Sequence, residues 1–210
     1  MIKILLVDDH SIVREGLRRI IEDTGEIEIS AEASNGEEAL KLILKENYNL
    51  VILDISMPGK NGLQTLKEIK KHDSKLPVLM LSMHAEEQYA MRAMRAGASG
   101  YLTKDVAAKQ LVIGIKKIYE GRKFISPELA EILVTDIYHR EDKKRHELLS
   151  DREFEIFKLI VRGGSTKKIA LNLSISDKTV STYRSRILKK MEMKNTANLI
   201  HYAIENKISD

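Results

Sequence analysis

The sequence contains no cysteine. That excludes a disulfide framework, thiolate metal or redox chemistry and cysteine catalysis, and it suits a reducing compartment. Long apolar runs are also missing. At the amino end only Ile4 to Val7 precede Asp8 and Asp9, too short a stretch for a signal-peptide core or a membrane span. A soluble, cytoplasmic protein with no membrane contact is expected. No histidine or sulfur cluster suggests zinc. Charge of neither sign is scarce: 35 Lys and Arg stand against 31 Asp and Glu, a net +4. Where the basic residues sit therefore matters more than their sum.

What is present is enough for two cores. At 210 residues and 43% hydrophobic content the chain exceeds a typical single domain. Short apolar runs at Ile2 to Val7, Leu50 to Leu53, Val78 to Leu81 and Tyr101 with Leu102 alternate with segments whose apolar residues recur at helical spacing. Those stripes are Ile12, Val13, Leu17, Ile20 and Ile21; Ala39, Leu40, Ile43 and Leu44; and Leu111, Ile115 and Ile118, each giving one face to a sheet. A weaker alternating strand, Ile27 to Ala33, makes five. Residues 1–121 thus read as an α/β domain, a doubly wound parallel sheet of (βα)5 type ending near Gly121.

Residues 122–146 read as a linker containing a helix. Ser126-Pro127-Glu128 resembles an N-cap followed by proline in the first turn, opening a helix towards Tyr138, and the run His139 to Glu147 is almost wholly charged, the mark of a solvated connector. From residue 147 to 210 the pattern is all helical. Ser150 and Glu153 form a capping box before Phe154, Phe157, Leu159, Ile160 and Val161, and Gly163-Gly164 closes that helix. Ser165 to Leu173, the turn Ser174-Ile175-Ser176 and Asp177 to Met191 then give a helix-turn-helix within a four-helix unit.

In an open α/β sheet, ligands collect at the carboxyl ends of the strands. Asp8 and Asp9 follow the first strand, Asp54 ends the third, Ser82 the fourth and Lys104 the fifth, so three carboxylates, a hydroxyl and an ammonium converge on one rim. Carboxylates about 4 Å apart repel by about 4 kcal/mol at an effective dielectric near 20, which favours a raised pKa or a bound cation. Mg²⁺ suits such a site, because it takes hard oxygen ligands and shares its coordination with phosphate oxygens. Asp54 is the exposed, central candidate to attack a phosphoryl group whose oxygens a lysine and a hydroxyl can hold. His10 and His84 read as solvated or satisfied histidines without a catalytic role, and Met80, Met83, Met91 and Met94 as packing.

Asp8-Asp9, the segment Asp54-Ile55-Ser56-Met57-Pro58-Gly59 with Gly62, Ser82 and Tyr101-Leu102-Thr103-Lys104 resemble the receiver domain of bacterial two-component response regulators. The resemblance implies that Asp54 is the phosphoacceptor and that Asp9, Asp54 and the Ser56 carbonyl bind Mg²⁺ or Mn²⁺, with Asp8 acting through water. It implies that Lys104 and Ser82 contact the phosphoryl group, that Ser82 and Tyr101 form a switch, and that the positions of Ser56 and His84 tune dephosphorylation. Two residues depart from the common pattern, Ser82 where threonine is frequent and Asp105 where proline often follows the lysine. The second leaves the isomer of the Lys104–Asp105 bond open.

On the second helix of the helix-turn-helix, Val180, Ile187 and Leu188 face inward, while the rest of the surface is polar or basic and offers nothing for lipid insertion. Such a surface neutralises phosphates, and short hydroxyl side chains near its amino end reach base edges. Leu149-Ser150-Asp151-Arg152-Glu153, Lys168-Ile169-Ala170, Leu173-Ser174-Ile175-Ser176 and Thr179-Val180 with Lys190-Met191 resemble the LuxR-type DNA-binding domain, with Lys168 where glutamate is usual. The resemblance implies that Ser181, Thr182 and Ser185 face bases, that Lys178, Tyr183, Arg184, Arg186 and Lys189 include phosphate contacts, and that the last helix, with Leu199, Ile200, Ala203 and Ile204, dimerises on DNA.

Receiver followed by this domain is similar to the NarL/FixJ class of response regulators. The implied function is transcription regulation: a sensor histidine kinase phosphorylates Asp54, and the modified chain dimerises and binds double-stranded promoter DNA. It is not an enzyme, apart from phosphoryl uptake and slow self-dephosphorylation. Two alternatives stay open. A phosphorylation-independent interaction protein would keep the receiver as a scaffold. A Mg²⁺-dependent phosphohydrolase would use the same carboxylates, although His10 stands where aspartate-nucleophile phosphatases carry a second aspartate, two positions after Asp8.

Overall fold

The computed structural model describes residues 1–83, 87–104, 108–126, 129–131, 144–206 and 208. It divides into two compact units, Met1–Thr135 and Asp136–Asp210. His84, the Lys104–Asp105 bond and most of the helix expected after Ser126 lie outside the described residues. At its start, Ser126 Oγ accepts the Leu129 amide at 3.2 Å.

The first unit alternates β1 (Ile2–Val7), α1 (Ser11–Glu22), β2 (Ile27–Ala33), α2 (Gly36–Ile43), β3 (Leu50–Asp54), α3 (Gly62–His72), β4 (Val78–Ser82), α4 (Glu87–Arg95), β5 (Gly100–Thr103) and α5 (Ala108–Tyr119). All strands are parallel, in the order β2-β1-β3-β4-β5. Every residue of β3 and β4 is buried, as continuous apolar runs must be when helices cover both faces of a sheet. On one face Ile4, Leu6, Ile52, Leu79 and Leu81 pack with Ile21 of α1 and with Leu111, Ile115 and Ile118 of α5. Each such side chain taken from water contributes about 1.5–3 kcal/mol. On α1 the expected stripe is narrower than its sequence suggests, because Ile12 is 84% exposed. Leu44 and Met83 are exposed too, beyond the end of α2 and of β4 respectively.

The order of strands reverses between β1 and β3, so a crevice opens at their carboxyl ends, where Asp8, Asp9 and Asp54 lie. The chain past α5 does not leave at once. The Tyr101 amide donates to the Phe124 carbonyl and the Phe124 amide to the Ser99 carbonyl, both at 3.0 Å, adding a short parallel bridge beside β5. Gly114 makes this possible, since a Cβ there would stand 2.7 Å from the Phe124 ring.

The second unit comprises a 3₁₀ turn (Arg145–Leu148) and four helices, α6 (Asp151–Val161), α7 (Thr166–Leu173), α8 (Asp177–Lys190) and α9 (Thr196–Glu205). Side-chain caps set the starts: Ser150 with Glu153 in a reciprocal box, then Ser165, Ser176 and Asn195. Ser174, in the left-handed region at φ 52°, ends α7 and makes the turn into α8. Phe154, Phe157, Ile169, Leu173, Val180, Ile187, Leu199 and Ala203 form the core. The expected solvated connector is corrected at its carboxyl end: His146 is fully buried, its Nδ1 2.9 Å from the Tyr202 hydroxyl, so the final residues of the charged run fold into this unit.

Candidate functional site

At the carboxyl edge of the sheet, Lys104 extends from the end of β5 to place Nζ 2.6 Å from Asp8 Oδ2 and 3.0 Å from Asp54 Oδ1. All three groups are buried. Asp8 is oriented by the His10 amide, which donates to its Oδ1 at 2.9 Å, and its carbonyl accepts Arg14 at 2.6 Å. Asp9 is partly exposed, with His10 Nδ1 2.9 Å from its Oδ1. Ser82 is buried at the end of β4, and its carbonyl accepts the Lys104 amide at 2.7 Å.

The expectation that Asp54 is exposed is corrected. Only 1% of it reaches solvent. Burial pushes its carboxyl up to about 6, Lys104 pulling it back and Asp8 adding to the rise. The partners Asp54 has, the Lys104 ammonium and the Ser56 amide, do not outweigh its burial. Tyr101 lies inward, with burial carrying its phenol up to about 12 against the pull of a Ser82 hydrogen bond, while Asp54 adds to the rise. Hydroxyl and phenol are thus joined, and the phenol lies within the field of the Asp54 carboxylate.

The helix after β3 is brought close by Gly62, whose absent Cβ would stand 2.0 Å from the Asp54 carbonyl. Asn61, buried, caps this helix in a box with Gln64. The loop between carries Ser56, exposed, and Gly59 at φ 73°. The spatial reason for Gly62 is invisible in the chain itself, for a turn glycine and a close-approach glycine look alike there.

These groups fit a divalent cation. Asp8, Asp9, His10 and Asp54 each offer a ligand atom, all within 4.8 Å of one another. Three carboxylates against one ammonium leave a formal charge of −2 (3 − 1) where burial penalises it. Hard oxygen donors with unsatisfied lone pairs are what Mg²⁺ or Mn²⁺ takes.

On α8 of the second unit, Val180 and Ile187 are buried, Leu188 is half-buried, and Lys178, Ser181, Thr182, Arg184, Ser185, Arg186 and Lys189 are exposed, with Tyr183 half-buried. Thr182 and Ser185 donate to carbonyls four residues back on their own helix, at 2.9 and 3.1 Å. Arg184 Nε donates to Thr196 Oγ1 at 3.0 Å, and the Arg186 guanidinium sits 5.9 Å from the Tyr183 ring centroid. Lys190, which reads from the sequence as part of the basic exterior, reaches Glu153 at 2.6 Å instead. Lys168, where glutamate was noted as usual, is exposed.

Residues 4–116 match the response regulator receiver domain, and residues 147–203 match the bacterial regulatory proteins of the luxR family. The chain belongs to the LuxR-type response regulators. It is 36% identical to response regulator UvrY of Escherichia coli over 98% of this chain and 95% of that protein, and 32% identical to response regulator GacA of Pseudomonas syringae over 100% and 99%. The crystal structure of a LuxR-family two-component response regulator from an Aurantimonas species covers 65% of this chain and 98% of that one, at 36% identity and a TM-score of 0.61. A response regulator of this architecture is a transcription regulator whose second unit binds DNA. Among the described residues, no helix is long and apolar enough to cross a membrane.

Proposed function

We propose that Asp54 accepts a phosphoryl group from the phosphohistidine of a sensor kinase, and that the modified receiver controls dimerisation and promoter binding by α8. The observation that carries this reading is one lysine shared by two buried carboxylates at the sheet's switch point. In the transfer, an Asp54 oxygen forms a bond to phosphorus as the donor's phosphorus–nitrogen bond breaks. The electron pair stays with the departing imidazole.

Asp9, Asp54 and the Ser56 carbonyl would hold the cation, with Asp8 contributing through water. When bound, it supplies charge neutralisation for the approaching phosphoryl oxygens. Lys104 leaves its place between Asp8 and Asp54 to pair with one of those oxygens. Ser82 donates its hydroxyl to another, giving up its bond with Tyr101, and so the phenol senses the modification. Burial keeps water from the Asp54 carboxylate and slows hydrolysis of the acyl phosphate. On α8, Lys178, Tyr183, Arg184, Arg186 and Lys189 would meet phosphates, and Ser181, Thr182 and Ser185 would meet base edges, a reading supported by the exposure of all of these but the half-buried Tyr183. Cytoplasmic residence follows from a kinase and a promoter as partners.

Incubation with Mg²⁺ and a small acyl phosphate, read by intact mass, tests the first step. Wild type gains one phosphoryl group and Asp54→Asn gains none. Equal incorporation removes the assignment.

A further inference from the structure

His10 lies against the carboxylates without performing the task its backbone position offers. It is the N-cap of α1, where a serine, threonine, aspartate or asparagine side chain would satisfy a free amide, yet its ring makes no capping bond. It turns back over the acidic cluster, with Nδ1 2.9 Å from Asp9 Oδ1 and 3.4 Å from Asp8 Oδ1.

We propose that His10 is an additional, nitrogen ligand of the cation held by Asp9 and Asp54, and that it shifts the site's preference from Mg²⁺ towards imidazole-binding divalent ions of the first transition series. This rests on the cation site of the proposed function and deepens it. Adjacent ligands of an octahedral ion with bonds of about 2.1 Å stand about 3.0 Å apart. The contact of His10 Nδ1 with Asp9 Oδ1 already has the length of such an edge. The four donor atoms span no more than 4.8 Å, close to the distance across one ion. Asp54 is buried to 1% exposure and shares its one ammonium, Lys104, with Asp8, so the buried carboxylates outnumber the cation beside them.

The chemistry of the added donor decides which ions gain. Mg²⁺ prefers oxygen and gains little from an imidazole, whereas Co²⁺, Ni²⁺ and Zn²⁺ bind one well. Because His10 is 63% exposed, its ring can rotate onto an ion without disturbing the core. The competing role is a plain hydrogen bond from an Nδ1 proton to Asp9, which orients that carboxylate and acts alike on every ion it binds. The two roles differ in selectivity.

The test uses the full-length chain loaded with Mn²⁺, whose bound and free forms are counted by electron paramagnetic resonance, and displaces the ion with Mg²⁺ or with Co²⁺. Wild type, His10→Ala and Asp9→Asn are compared. The expected result is that His10→Ala lowers the ratio of Co²⁺ to Mg²⁺ affinity at the displaced site by about 10-fold or more. An unchanged ratio, whether both affinities fall together or neither moves, overturns the ligand role while leaving the cation site intact. Mn²⁺ that stays bound in Asp9→Asn and resists Mg²⁺ places the cation elsewhere, which overturns both readings.

Discussion

Lys104 in the first unit and Lys190 in the second each stand 2.6 Å from a buried carboxylate, Asp8 and Glu153 respectively. Their surroundings separate them. Lys104 is 6% exposed and shared with a second carboxylate, Asp54, so one ammonium serves two buried acids. Lys190 is 44% exposed, and Glu153 also accepts the Ser150 amide at 2.8 Å. Burial pushes the Glu153 carboxyl up, but Lys190 and Ser150 together hold it below the ordinary glutamate value. On Asp54 burial wins over the same kind of partner. One pair fastens α8 to α6, whereas in the other a single ammonium is divided between two buried carboxylates.

Substitutions break this comparison by degrees. Gly62→Ala has the largest expected effect, because its Cβ would collide with the Asp54 carbonyl, a rigid backbone atom. A loss above about 4 kcal/mol is expected in urea unfolding of the first unit, and near-normal stability would show that α3 can withdraw. Lys104→Met leaves Asp8 and Asp54 buried together without a counter-charge, a cost of about 3–5 kcal/mol, and also loses phosphoryl uptake. Lys190→Met lies between the surface and buried limits, at about 2 kcal/mol in the second unit, with uptake unchanged. Equal effects of the two lysine variants on uptake would end the distinction.

The pH dependence of the Glu153 pair has a fixed sign. A carboxyl whose folded pKa is depressed stabilises the fold above its unfolded value, about 4.3, and that contribution disappears as pH falls through the folded value. Thermal unfolding of Glu153→Gln should therefore lose less stability than wild type on going from pH 6 to pH 3. Parallel curves would assign the acid sensitivity to other groups. The smallest expected effect is on binding: Arg186→Ala lowers the salt slope of DNA affinity by about 1, as loss of one phosphate contact does.

The sequence announces those parts whose physics is periodic or local. Strand runs, the stripe of Leu111, Ile115 and Ile118, the caps at Ser150, Ser165 and Ser176 and the turn at Ser174 all follow from spacing and side-chain type, and the convergence of Asp8, Asp54, Ser82 and Lys104 follows from parallel topology. What it hides is the outcome of packing. Ile12 belongs to a helical stripe but turns to solvent, and Lys190 belongs to a basic face but pairs with the buried Glu153. Arg184 spends one donor on Thr196, twelve residues away, and His146 sits in a charged run yet fills a space beside Tyr202. The close approach of α3 to the Asp54 carbonyl, which Gly62 permits, is likewise revealed by no spacing rule.

The central claim is that Asp54, and no other carboxylate of the cluster, bears the phosphoryl group. After treatment with a small acyl phosphate and Mg²⁺, borohydride reduces an aspartyl phosphate to homoserine, and peptide mass spectrometry then locates the reduced residue. The account predicts homoserine at position 54 alone. Reduction at position 8 or 9, or at none of the three, would contradict it.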